Sequence, residues 1–519
     1  MTGRLIALVA LAVLALAPID GVPAQTIDTI VVDNRNVFDH TDDAPSFVAR
    51  LANKLHVKTH ASVIRRTLLL AAGDPYDSAR VVESELALRN LLVFRDVHVD
   101  TARVGGRLAL RARTADGWST RPQATYSSAG GDETWAVGFV EQNFLGTATT
   151  IAAFYKKNPD RRLLELQYGA PAFLWRRAEL GGRYQDLSDG RTGLWAYGVP
   201  FYETSAPWAL ATDGEAATQR VLRFRDGVLA DSAERRALRF GVSGGVALRA
   251  SSRSYLRVRL SAQWRREDYD PIAATTVPYS QTAAAGATIE VGHRRIHVLE
   301  GVNTYARREG FDLSQTLSLG AWAAPRAWGY GAGEAGIGPA VRGQVSAVWH
   351  GGFVVMRVAA QGVVGVSRDS GRVEGELTAV SQRLSRQTLV VHVEGGAIRG
   401  AKLGSEFDLW QDADGPRTFG AHAFTGTRRV WVAVEDRVLV ARNLWGLVGV
   451  GVAPFLDWGG AWYADEGARV AGNAGVALRL GPTRAVRGDV AEFALGYRFG
   501  DLVTGNRWGF VVRQAVAFK

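Results

Sequence analysis

The residues best placed to do chemistry are one arginine and two carboxylates near the C-terminal end of the chain. G-P-R-T-F-G-A-H-A-F-T-G-T-R-R runs from Gly415 to Arg429, V-E-D-R from Val434 to Arg437, and P-F-L-D-W-G-G-A-W from Pro454 to Trp462. Arg417 lies in a Gly/Pro-bounded loop segment, whereas Glu435 and Asp457 lie on two strand-like segments that follow. A guanidinium presents a planar fork of donors that carboxylates take up in charge-assisted pairs. Removing one partner of such a pair, once buried, costs ~3–5 kcal/mol. The chemistry is therefore adhesive, and it makes sense only if the loop folds back onto the strands. A loop folded into a barrel is the simplest such object. Taken by residue type alone, three ordinary solvated lumen charges would look the same.

Catalytic signatures are weaker. Gly241-Val-Ser-Gly-Gly245 matches G-x-S-x-G, but a nucleophilic serine needs a sharp strand-to-helix turn, and Phe240 to Leu248 reads as continuous strand. Gly331-Ala-Gly-Glu-Ala-Gly336 matches G-x-G-x-x-G without the strand before it and helix after it that dinucleotide binding requires. The nine histidines show no H-E-x-x-H and no paired zinc spacing, and cysteine is absent. The expectation is no enzyme activity, no catalytic residue, no cofactor and no metal. His422, beside Arg417, is expected to be structural or exposed.

The elements that must position Arg417, Glu435 and Asp457 follow from patterning. Apolar residues make up 47% of the 519-residue chain, with 59 glycines, 15 tryptophans and a mean hydropathy near zero. An outer-membrane barrel has this balance because lipid-facing apolar residues alternate with polar lumen-facing ones. Leu5 to Ala17 is an apolar run after Arg4, followed by Val22-Pro23-Ala24, and reads as a secretory signal cut before Gln25. An uncleaved anchor is the alternative. Beyond it the longest uncharged apolar candidate, Asn443 to Leu456, falls short of the ~20 residues a membrane helix needs.

From residue 25 to 115 the chain mixes types. Thr26 to Val32 reads as strand; Phe47, Val48, Leu51 and Leu55 recur at helical spacing; Ala61 to Ala72 is a second helix; and Asp77 or Ser78 caps a third carrying Val81 and Leu88. Val97 and Val99 alternate with polar residues before a Gly105-Gly106 break, so this unit ends in a hairpin. From residue 116 to 519 helical periodicity disappears. Alternating segments such as Thr134 to Gln142, Arg162 to Tyr168 and Tyr255 to Trp264 are split by turn clusters such as Asn158-Pro159-Asp160. About 400 residues of this argue for antiparallel sheet. A soluble propeller would need a regular blade-length repeat, and none is visible. Residues 25–117 carry 13 Lys+Arg against 12 Asp+Glu, and residues 118–519 carry 47 against 38, so the net +10 lies almost wholly in the second part. Its arginines are scattered through alternating segments, which suits a charged lumen or anionic headgroups and not nucleic acid.

With that organisation, the N-terminal unit resembles a POTRA domain on Ala71-Ala-Gly-Asp-Pro-Tyr-Asp77, Glu83 to Asn90 and Val93-Phe-Arg-Asp-Val-His-Val99. The second part resembles the BamA/TamA outer-membrane superfamily on Glu141-Gln-Asn-Phe-Leu-Gly146 and the motifs quoted at the outset. The family's V-R-G-F/Y loop motif falls on Pro416, Arg417, Thr418 and Phe419; the resemblance makes Arg417, Phe419, Glu435 and Asp457 a structural loop lock. Thr418 and Pro416 depart from the motif. The expected architecture is mainly β: a transmembrane antiparallel β-barrel of 16 strands (116–519) after a signal peptide (1–24) and one small α+β POTRA-like periplasmic domain (25–115). Phe510, Val512, Val516 and Phe518 share one face at period two and are expected to form the lipid-facing terminal strand.

The resemblance implies an outer-membrane assembly or translocation factor of a Gram-negative-type bacterium. Its expected partners are outer-membrane lipids, unfolded polypeptide clients received at the edge strand of Val97 and Val99, and assembly lipoproteins. The alternatives are a passive pore or ligand transporter, or a surface receptor or structural barrel.

Overall fold

The computed structural model describes residues 25–38, 46–129, 132–175, 177–272, 280–305, 308–328, 336–365, 369–409, 415–485 and 490–514. The signal-peptide segment, and Val516 and Phe518 of the terminal strand, lie outside these residues.

The N-terminal unit is a three-stranded sheet. Arg107–Asp116 lies in the middle, parallel to Thr29–Arg35 and antiparallel to Phe94–Val104. Gly105 and Gly106 make the hairpin turn with φ of 59° and 81°, a conformation that glycine adopts without steric cost. Three helices, Ser46–Leu55, Ala61–Thr67 and Ser78–Asn90, accompany the sheet. Asp77 caps the third, its Oδ1 accepting from the amides of Ala79 at 2.8 Å and Arg80 at 3.3 Å. The second helix stops at Thr67, short of the expected Ala72. Leu68, Leu69 and Leu70 turn extended to reach the core, and Ser84 Oγ takes the Leu69 amide at 3.0 Å, so burial overrides helical periodicity.

Immediately beyond, the chain enters a closed antiparallel barrel. It has twenty strands among the described residues, from Thr120–Ala129 to Trp508–Gln514, and not the sixteen expected. Period-two alternation reports which face a residue takes. It does not report how many strands close the ring, because that is set jointly by register stagger and tilt. Short consecutive strands such as Arg162–Ala170, Glu179–Leu187 and Gly190–Val199 each add a staff to the barrel. Alternation itself is clear. Leu164, Leu166 and Tyr168 are exposed on the outside, with Glu165 buried on the inside between them. No described helix is long and apolar enough to cross a membrane.

A barrel this wide leaves a lumen that can stay an open channel or be filled from within. Here two connections fill it. At the end carrying the N-terminal unit, the link between Ser280–His293 and Gln315–Ala324 forms a hairpin of Ile296–Glu300 with Arg308–Asp312. At the opposite end, the link between Gln387–Arg399 and Arg428–Leu444 holds Arg417 and its own short strand pair, Phe407–Leu409 with Phe424–Gly426. Phe311, Phe353, Phe407, Phe424 and Trp431 join one apolar core inside the lumen, built from both connections and the wall.

Candidate functional site: the lumenal lock

Arg417 is the largest fully buried side chain among the described residues, at 2% exposure. Its Nε and NH2 donate to Asp457 Oδ2 and Oδ1 at 2.7 and 3.0 Å, a bidentate pair, and its backbone amide donates to the same carboxylate at 3.1 Å. NH2 also reaches Glu435 Oε2 at 3.2 Å, and the guanidinium lies 3.9 Å from the centre of the Phe455 ring. Arg417, Glu435 and Asp457 therefore come together in one buried cluster. Phe419 is buried beside Phe424, with ring centres 5.0 Å apart.

The network is larger than the motif. Arg417 NH1 donates to Glu492 Oε1 at 3.2 Å, and Glu492 also accepts from Arg513 Nε at 3.1 Å. Glu435 accepts from Arg437 Nε at 2.7 Å and from Arg479. Sequence reading missed Glu492, Arg479 and Arg513. The signal was their parity: Arg479, Glu492 and Arg513 face one another in register across the last three strands, each on the inward set opposite exposed residues such as Leu478, Leu495 and Phe510. Four arginines meet three carboxylates here, and the low dielectric makes each pair strong while each unpaired member would be costly.

Thr418, which stands where the motif has glycine, is fully buried without a left-handed backbone, since neither it nor its neighbours Pro416, Arg417 and Phe419 has positive φ. The wall accommodates it. A Cβ on Gly509 would lie 2.7 Å from Thr418 Cβ, and one on Gly496 would lie 3.0 Å from Thr418 Cγ2. Gly496 and Gly509 are register partners, so the glycine missing from the loop is matched by a glycine dimple in the last two strands. The inner hairpin is seated the same way. Tyr305 lies over Gly449, Gly451 and Gly481, where any Cβ would come within 2.8 Å of it, and its hydroxyl donates to Arg479 O at 3.1 Å.

Both connections meet at Arg437. Its NH1 donates to Val302 O at 2.7 Å and Asn303 Oδ1 at 3.1 Å on the hairpin, while its Nε holds Glu435 of the lock. The hairpin reaches the N-terminal unit where Arg89 NH1 donates to Arg308 O at 2.9 Å, and the link between Gly190–Val199 and Trp208–Arg225 reaches it where Arg80 Nε donates to Glu203 at 3.0 Å and the Thr204 amide to Glu83 at 2.9 Å.

Other predicted residues are placed as follows. Phe510 is exposed and Val512 half-buried on the outer face of Trp508–Gln514, with Val511 and Arg513 inward. Val97 and Val99 lie on the outermost strand of the N-terminal sheet. Their side chains are buried in its core, Arg89 NH2 donates to Val97 O, and the Val99 amide donates to Glu85 Oε2 at 3.0 Å. Ser243 lies mid-strand in Val228–Ala250, opposite Ala211 and Ser261. The G-x-G-x-x-G segment lies outside the described residues apart from Gly336. His422 sits between Asp408 Oδ2 at 2.7 Å and Asp160 at 3.0 Å and stacks on Phe224.

Among the described residues one group has metal-ligand chemistry, Glu376, His392 and Glu394. Its atoms already serve each other: Thr378 Oγ1 meets His392 Nδ1 at 2.8 Å, His392 Nε2 meets Glu394 at 2.9 Å, and Arg357 and Arg429 lie against the two carboxylates.

These features define a closed antiparallel β-barrel with an exposed apolar outer face and a locked loop inside its lumen. No protein-family model matches the chain. It is 30% identical over 135 residues, 25% of its length, to the outer membrane protein assembly factor BamA of Neorickettsia risticii (strain Illinois). The match spans 15% of that relative's length. Among solved structures, CdiB from Escherichia coli is similar at a TM-score of 0.48 and 10% identity, covering 96% of this chain and 93% of that one. BamA from Haemophilus ducreyi lacking POTRA domains 1–3 is similar at 0.38 and 12%, covering 93% and 84%. Over those 135 residues the chain is thus similar to a member of the BamA/TamA-type outer-membrane superfamily, the one its lock residues resemble.

Proposed function

We propose that this chain is an outer-membrane assembly or translocation factor whose N-terminal unit, a POTRA-type module in the periplasm, receives unfolded clients that the barrel inserts or passes onward. The observation that carries this reading is the barrel's closing seam. Among the described residues, Trp508–Gln514 meets Thr120–Ala129 only where Phe510, Val511 and Val512 face Ser128, Ser127 and Tyr126, whereas Thr120–Ala129 is matched along its whole length with Asp132–Glu141 on its other side. A short seam is the natural place for a wall of paired strands to part and accept another strand, because fewer ladder bonds must break. The filled lumen argues against a passive pore, since the hairpin and the locked loop occupy the path that solute would take.

Client pairing at the N-terminal sheet would use the outer edge of Phe94–Val104. Arg89 and Glu85 already hold the edge groups of Val97 and Val99, so the part of the edge available to a client begins at Thr101. Deleting Gln25 to Ala115 behind a supplied signal peptide tests the division of labour. The barrel should still insert and migrate in a heat-modifiable way, while the outer-membrane or secreted proteome loses its clients. An unaltered proteome together with normal solute flux would overturn the proposal.

A further inference from the structure

The helix Ser46–Leu55 turns an apolar face outward. Phe47, Leu51 and Leu55, spaced four apart on one face, are 66%, 55% and 63% exposed, and Val57 follows them at 50%. Its other side is occupied: Ala49 packs against the buried Val37–Phe38 pair, which Trp118 and Leu447 also cover, and Asn53 exchanges hydrogen bonds with the Phe38 backbone at 2.9 and 3.0 Å. Arg50 and Lys54 are exposed and flank the apolar stripe on one edge, and the helix contains no acidic residue.

Position supplies the occupant. The chain after the helix is fixed to the barrel rim, where Asn143 Nδ2 donates to Val57 O at 3.0 Å and the His60 amide to Gly146 O at 3.0 Å. Leu447, in the turn after Arg428–Leu444, covers the same Val37–Phe38 pair that Ala49 of the helix packs against. Those two turns carry exposed apolar tips, Leu145 at 62% and Trp445 at 73%, below strands whose outer faces show Val137, Phe139 and Val440. The apolar stripe of the helix thus continues the outer apolar belt of the barrel at its rim, beside the first strand and the seam. We infer that Ser46–Leu55 is an interfacial helix: its Phe47, Leu51 and Leu55 face enters the headgroup–acyl boundary of the phospholipid leaflet around the barrel, with Arg50 and Lys54 on lipid phosphates.

Such an arrangement follows from the physics of amphipathic helices at membranes, in which an apolar face lies shallowly in the leaflet and basic residues snorkel to anionic headgroups. It fixes the N-terminal unit to the bilayer as well as to the barrel, next to the place where the barrel closes.

The chain has no cysteine, so single introduced cysteines report cleanly. Leu51→Cys, with Phe47→Cys as a second site and exposed Asp96→Cys as a water-facing reference, are nitroxide-labelled in the full chain. Each is reconstituted into vesicles of phosphatidylethanolamine and phosphatidylglycerol. Heat-modifiable migration confirms separately that the barrel has inserted. In these vesicles the Leu51 and Phe47 labels should be more accessible to oxygen than to a water-soluble nickel chelate, and the Asp96 label the reverse. Arg50→Gln with Lys54→Gln should reduce that preference severalfold. Nickel accessibility at Leu51 and Phe47 equal to that at Asp96 would place the helix in water and overturn the inference. So would shielding of both labels from both reagents in detergent micelles together with a doubled particle mass, which would mean that a second copy covers the face.

Discussion

At the scale of single residues the lock is a shared resource, and its members should behave as one. Arg417→Ala takes the buried Asp457 from its cation, Asp457→Ala takes Arg417's bidentate partner, and each should destabilise the barrel by ~3–5 kcal/mol. The double variant should cost clearly less than their sum in a reversible unfolding assay. Strict additivity would mean that the two side chains do not act together. Glycine-for-threonine exchange tests the wall dimple from the other side: Gly509→Ala should cost ~1–3 kcal/mol by overpacking, and Thr418→Gly should restore most of it. His422 adds a pH dependence. Burial lowers its affinity for a proton, but the hydrogen bonds its ring donates to Asp160 and Asp408, with their negative charges, outweigh burial and push its pKa up to about 9 from 6.5. A raised folded pKa means that the stabilisation is fully present below the unfolded value and is lost as pH rises through the folded one. Protease resistance of the loop around His422 should thus hold below about pH 6.5 and decline on approach to and through about pH 9. His422→Gln should remove the decline.

At the scale of elements, two connections from opposite ends fill the lumen and meet through Arg437, so neither is an ordinary surface loop. Replacing Ile296 to Asp312 by a short Gly/Ser turn removes Tyr305 from its glycine trough and Val302 and Asn303 from Arg437. The expected result is a barrel that still inserts but conducts ions far more readily in planar bilayers, with Tyr305→Ala giving a smaller increase. Conductance unchanged by the replacement would show that the loop carrying Arg417 closes the lumen unaided.

At the scale of the whole molecule, the decisive question is whether the ring opens where its ends meet. Val511 and Ser127 are register partners across the seam, and without native cysteines a Val511→Cys, Ser127→Cys pair offers a single, reversible clasp. Oxidised protein should lose client assembly and regain it on reduction. Full activity in the oxidised state would show that clients do not use the seam.

The sequence determined the faces and the chemistry. Alternation in Arg162–Ala170, the cap at Asp77, the glycine turn at Gly105 and Gly106, and the pairing of Arg417 with Glu435 and Asp457 were legible because each depends on local periodicity or on a short motif. Tertiary structure decided what depends on closure. The count of twenty strands, the meeting of Arg479, Glu492 and Arg513, the early end of the helix at Thr67 and the fit of Thr418 against Gly496 and Gly509 all rest on register between segments far apart in the chain. A strand's sequence repeats every two residues whichever neighbour it meets, so it specifies which way each side chain points and leaves open what lies opposite.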